Sequence, residues 1–171
     1  MSETNVILIK KYENRRLYDT VNSRYVNLDE VAQMLQRDED GTPWSIRFFG
    51  LLVVQYPTGS PWERLFGWRF LDPLAVAERI AATTPPETTL IALSHLGLAA
   101  DRRLAQRVPR LELILGGHSH DTLLAPEIVA GVPIVHAGPY GRYASRSELS
   151  KDAGGRARLA DFALEPLTAG G

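Results

Sequence analysis

Leu113-Ile-Leu-Gly-Gly-His-Ser-His120 is an apolar run, a double-glycine turn and two imidazoles two residues apart. A short apolar run closed by glycine predicts a buried strand. Side chains alternate sides along an extended segment, so His118 and His120 can face the same way. Upstream, Thr89–Ser94 is a second apolar run, ending in His95-Leu-Gly97. Ala99–Arg107 between them predicts a short helix, stopped near Pro109. A strand–helix–strand unit of this kind sets two parallel strand ends side by side, where ligands of open α/β sheets bind. Neutral imidazole suits zinc, iron, manganese and related ions. A His-x-His pair alone is a weak signal, and loop histidines without a ligand are common. His136 lies inside the apolar Pro133–His136 run and is expected to be a core histidine.

Further out, Ser45–Gln55 predicts another buried strand, bounded by Pro57 and Gly59. Asp72-Pro73 is a helix cap followed by proline at the first helical position. That helix is expected to reach about Ala82, with Leu74, Ala77 and Ile80 inward. Ala144–Ser150 and Arg156–Ala163 alternate around Lys151-Asp-Ala-Gly-Gly155, a hairpin pattern. The order is mixed α/β (α+β mixed).

The 171 residues are 44% apolar and 23% charged, with net charge −1. That balance excludes a bulk basic field aimed at nucleic acid or an acidic membrane. There is no cysteine, so any transition metal must be held by His, Asp, Glu or Asn. The apolar core Val6–Ile9 is too short for a secretory signal. No stretch approaches the roughly 18 apolar residues of a membrane span. A cytoplasmic protein with no membrane partner is expected.

Arg37-Asp-Glu-Asp-Gly-Thr-Pro43 mixes charge, glycine and proline and reads as a linker. The expected organisation is a first segment over 1–37, a linker over 38–43, a second piece over 44–165 and a tail over 166–171. In the first segment Val6–Lys10, Tyr12–Tyr18 and Ser23–Val26 read as short strands. A helix is expected from about Leu28 to Gln36, capped by Asn27 or Asp29. Residues 8–24 hold Lys10, Lys11, Arg15, Arg16 and Arg24 against Glu13 and Asp19, a local charge of +3. Tyr12, Tyr18 and Tyr25 are interleaved with them. Such residues can neutralise phosphates and stack on bases, or can simply form a solvated strand face over packed tyrosines.

Two resemblances extend these readings. The stretch from Leu90 through "LSHLGLAADRRLA" and "LILGGHSHDTL", followed by "GVPIVHAGPYGRYASRSELSKDAGG", resembles the calcineurin-like metallophosphoesterases, in particular their 5′-nucleotidase branch. It covers about residues 44–165. It implies part of a metallophosphoesterase sandwich and a two-metal centre using manganese, zinc, iron or a similar divalent ion. A metal-bound water in such a centre attacks a phosphoester. By this resemblance His95 and His118 bind one metal and His120 the other, and the substrate is a phosphomonoester or 5′-nucleotide. The family's Asp-x-His, Gly-Asp and Gly-Asn-His motifs, which supply the carboxylates, an Asn ligand and a catalytic imidazole, are absent here. No asparagine follows Asn27. The expectation is therefore the second half of a phosphoesterase domain, with weak metal binding, no assignable catalytic residue and impaired or absent activity. The branch's nucleoside-gripping domain is likewise not expected. An apolar face left without its cover favours self-association.

The second resemblance rests on "KKYENRRLYDT" and "SRY". Ile9–Leu35 resembles the N-terminal DNA-binding domain of polyhydroxyalkanoate accumulation regulators, with Glu13 where that family has proline. About half of that domain is matched. It implies DNA as a partner, contacted by Lys10, Lys11, Arg15, Arg16 and Arg24. Three readings stay open: a phosphoesterase-derived protein, a DNA-binding or polymer-granule regulator, and a fusion fragment without activity.

Overall fold

The structure is a computed structural model and describes residues 9–11, 17–19, 24–26, 44–54, 56 and 59–167. The chain divides into two compact units, Met1–Ser45 and Ile46–Gly171.

In the first unit, β1 (Ile9–Lys11), β2 (Leu17–Asp19) and β3 (Arg24–Val26) form an antiparallel sheet in that order. Ile9 pairs with Asp19, and Leu17 with Val26. Strand β3 falls within the extended stretch expected from the sequence, and β1 and β2 each run one residue past theirs, to Lys11 and Asp19. The helix expected over 28–36 lies outside the described residues, as do Arg15 and Arg16.

The second unit is built on a five-stranded sheet. Its strands are β4 (Ile46–Leu52), β5 (Thr89–His95), β6 (Leu113–Gly116), β7 (Glu127–Val129) and β8 (Val132–His136). The order is β4-β5-β6-β8-β7. The first four are parallel and β7 runs antiparallel to β8. Parallel neighbours need long crossovers. Helices α1 (Pro61–Phe66) and α2 (Pro73–Thr83) lie in the β4–β5 crossover, and α3 (Leu98–Arg107) lies in the β5–β6 crossover. Asp72 caps α2 as its sequence implies, accepting from the Ala75 amide at 2.9 Å, with Pro73 opening the helix. Strands β9 (Tyr143–Lys151) and β10 (Ala157–Pro166) form the expected hairpin.

Both faces of the sheet centre are covered. On one side Leu51, Leu90, Ala92, Ile114 and Ile134 pack with Ala77 of α2 and Leu104 and Ala105 of α3. On the other, Ile91, Leu113 and Val135 meet Leu149 and Phe162 of the hairpin. This is why β5, β6 and β8 read as unbroken apolar runs.

The Ser45–Gln55 expectation needs correction. The strand exists over Ile46–Leu52, but it is a sheet edge, not a buried strand. Phe48 is 54% exposed and Leu52 73%, on the hairpin side of the sheet but beyond the hairpin's reach. Helix α1 and strand β7 were not anticipated. Ser60 caps α1, Gly67 ends it in the left-handed conformation, and Glu63 accepts from the amides of Gly59 (2.6 Å) and Phe70 (2.8 Å). Strand β7 turns into β8 through Ala130 and Gly131, both at positive φ, as tight two-residue hairpins require.

Candidate metal centre

The two apolar runs that end in histidine are adjacent strands, with Leu93 beside Leu115. His95 is the last residue of β5, and His118 follows β6 by two residues. Their rings meet edge to face, with centroids 4.9 Å apart and planes at 64°. Gly117 lies beside them: a Cβ there would sit 3.5 Å from His95 Nδ1, an ordinary van der Waals contact. Both imidazoles are exposed at the carboxyl end of the sheet.

His120 goes elsewhere. Its ring packs edge-on against Tyr140, with centroids 5.3 Å apart. His118, His120 and Tyr140 all have positive φ, at 82°, 63° and 59°. Non-glycine residues in that region are strained, and such strain gathers at functional loops. Two contacts hold the loop. Ser119 Oγ accepts from the Leu98 amide at 2.9 Å and donates to Asp121 at 2.5 Å. Asp121 is thus committed to the loop itself.

His136 is buried in the core, as expected, with Nε2 at 2.8 Å from Asp101 Oδ2. Sequence reading missed Asp101, because its partners lie in other elements.

As a metal-binding set, this arrangement is incomplete. Among the described residues, no group of three or more His, Asp or Glu side chains could hold a metal ion. His95 and His118 supply two imidazoles in ring contact, and among the described residues no acidic side chain joins them in a metal-binding group. Two clefts, of about 290 and 590 Å³, lie at the other end of the sheet around Glu112, and neither is lined by a histidine. Lys10, Lys11 and Arg24 fall on β1 and β3.

Comparison with known proteins gives two separate likenesses. Residues 8–42 match the PHB/PHA accumulation regulator DNA-binding domain. The chain is 34% identical over 109 residues to the uncharacterized metallophosphoesterase YunD of Bacillus subtilis, covering 63% of this chain and 23% of that protein. It is 33% identical over 122 residues to the trifunctional nucleotide phosphoesterase YfkN of the same organism, covering 67% of this chain and 8% of that protein. The chain thus spans less than a quarter of the length of the curated relatives it matches. Among solved structures it resembles the Thermus thermophilus sulfate thiohydrolase SoxB in complex with glycerol, with a TM-score of 0.54 and 24% identity, over 77% of this chain and 24% of that one. That likeness supports the fold. The chain is therefore similar over residues 8–42 to the accumulation-regulator DNA-binding domain, and in its second unit has a mixed α/β fold similar to part of the metallophosphoesterases.

Proposed function

We propose that the second piece, residues 44–165, is a phosphoesterase-derived half-site that binds one divalent ion weakly through His95 and His118. The observation that carries this is the meeting of those two rings at the ends of adjacent parallel strands. Water fills the remaining positions around the ion. His120, in ring contact with Tyr140, takes no part in this site, although the family resemblance implies that it serves a second ion in a complete centre. Zinc, manganese and iron all suit imidazole. A bound ion supplies a polarised water and neutralises phosphoester oxygens. The residues of this chain contribute ligation and orientation. Without a carboxylate to hold the ions and their water, little of the transition-state stabilisation is available. Phosphomonoester or nucleotide hydrolysis by this chain is accordingly negligible.

Calorimetry of the full chain with zinc and with manganese tests this reading. The expected result is at most one weak site, lost in His95→Ala and in His118→Ala. Two tight sites per chain would overturn the half-site, and no heat with either ion would overturn metal binding altogether.

The match over residues 8–42 favours a second reading, in which the segment 1–37 contacts DNA through Lys10, Lys11, Arg15, Arg16 and Arg24, with 38–43 as linker and 166–171 as tail. Among the described residues no helix is long and apolar enough to cross a membrane. A cytoplasmic, self-associating protein is part of the proposal.

A further inference from the structure

Just beneath the His95–His118 pair, on the helix side of the sheet, three adjacent strand ends share one buried polar cluster. Ser94, next to His95 on β5, donates from Oγ to Asp101 Oδ1 and accepts from the Leu96 amide at 3.3 Å. Asp101 comes from the first turns of α3 and has no exposed surface. Its other oxygen, Oδ2, takes His136 Nε2 from β8 at 2.8 Å. Strand β6 passes between them at Gly116, which pairs in register with His136. A Cβ at Gly116 would collide with both His136 Nε2 and Asp101 Oδ2. His136 Nδ1 has no hydrogen-bond partner, so the ring is held through Nε2.

The alternation of a strand makes this arrangement directional. Ser94 faces the helices while His95 faces the opposite side. Gly116 lies over the cluster, and Gly117-His118 follow immediately. A carboxylate that accepts from both Ser94 and His136 therefore locks the ends of β5 and β8 to α3, with β6 seated between. Polar groups left unpaired at such depth are costly, so losing one member of the cluster strains the bonds of the others.

We infer that Asp101, with Ser94 and His136, is a positioning cluster that sets the contact between His95 and His118. It touches no ligand. It fixes the backbone from which the two imidazoles project. Affinity for an ion rests on the metal reading above, whereas the ring contact itself does not.

The test compares Asp101→Leu, Asp101→Asn and Leu104→Ala in the full chain. Leu104 is fully buried on the same helix and outside the cluster, so its truncation controls for lost packing. The first readout, without added metal, is the nuclear Overhauser contact between the His95 and His118 rings. The second is zinc affinity, and thermal midpoints are recorded alongside. Asp101→Leu is expected to abolish the ring contact and weaken zinc binding at least ten-fold. Asp101→Asn, whose amide can still accept from Ser94 and bond His136, is expected to keep both. Leu104→Ala is expected to lower the midpoint and keep the ring contact. Should Asp101→Leu not fold, Ser94→Ala removes only the hydroxyl and carries the same expectation. An intact ring contact with unchanged affinity in a folded Asp101→Leu or Ser94→Ala would overturn the inference, as would equal loss in Leu104→Ala. A wild-type ring contact with no zinc binding would overturn the metal reading and leave the positioning cluster standing. A wild-type chain lacking the ring contact would overturn the positioning cluster.

Discussion

Glu112 shows how much one buried carboxylate can organise. Its side chain is 5% exposed, accepts from the Leu90 amide at 2.8 Å and pairs with Arg110 (3.4 Å) and Arg156 (3.2 Å). Arg156 also reaches the Pro109 carbonyl, and Arg110 those of Pro85 and Thr88, so one carboxylate ties the hairpin to the amino-terminal end of the sheet. Glu112→Ala strands the Leu90 amide and removes the carboxylate partner of both guanidinium groups, which keep their carbonyl contacts. Because the arginines are partly solvated, a loss of about 1–3 kcal/mol is expected, measured by urea unfolding. Asp152 plays a similar part at the hairpin tip. The Arg156 amide, the Arg158 guanidinium and the Gly154 amide all stabilise its charged form and hold its carboxyl below the ordinary aspartate range. A depressed carboxyl contributes stability above its unfolded value, about 3.9, and loses it as pH falls through the folded value. The order of the Lys151–Arg156 turn should therefore persist at pH 5 and fade below about pH 3.9. Amide chemical shifts across that turn report it, and in Asp152→Asn the acid transition should vanish.

At the scale of elements, β4 is the informative strand. Phe48 lies beside Ile91, and Leu52 beside His95, on the side of the sheet where the hairpin covers Ile91, Leu113 and Val135. The cover stops short of Phe48, Leu52 and Leu93, the last of them 45% exposed. An open edge strand carrying apolar side chains favours association. The purified protein is expected to bind a hydrophobic dye and to sediment as more than a monomer. The double variant Phe48→Thr/Leu52→Thr should reduce both signals without lowering the thermal midpoint. A monodisperse wild-type monomer that binds no dye would refute this. Helix α1 is tied together locally, although Trp62, Leu65, Phe66 and Trp68 stay exposed and add to the apolar surface. Phe70 and Gly59 donate to Glu63, which keeps its carboxyl low, and Trp62, Phe66 and Trp68 stack in sequence.

For the whole molecule, the two units make separate predictions. If the first segment contacts DNA, each phosphate neutralised makes binding steeper in salt. Binding that weakens as salt rises, with Arg15→Ala/Arg16→Ala weakening it further, is the expected outcome in a fluorescence anisotropy titration. An absence of binding at low ionic strength would retire that reading. For the second unit, turnover of p-nitrophenyl phosphate with manganese should not rise above buffer. Robust activity lost in His118→Ala would mean that the missing carboxylate function is supplied in a way the half-site reading does not include.

What the sequence by itself determined was local: apolar runs long enough to be strands, the Asp72-Pro73 cap, the glycine-rich hairpin turn, and histidines at strand ends. Each depends on neighbours within a few residues, where propensity and capping act. What only the tertiary structure decided was pairing. A three-residue strand such as β7 carries too short a pattern to announce itself, and it exists because β8 lies beside it. The apolar run at β4 is the same whether a sheet continues past it or ends, so its exposure could not be read from its residues. Asp101 and His136 stand 35 residues apart and look like a helix-surface acid and a core imidazole until the fold brings them within 2.8 Å. His120 packs on Tyr140 whereas His95 and His118 pack on each other, and the backbone turned to positive φ at His118 and His120 departs from the alternation of an extended segment.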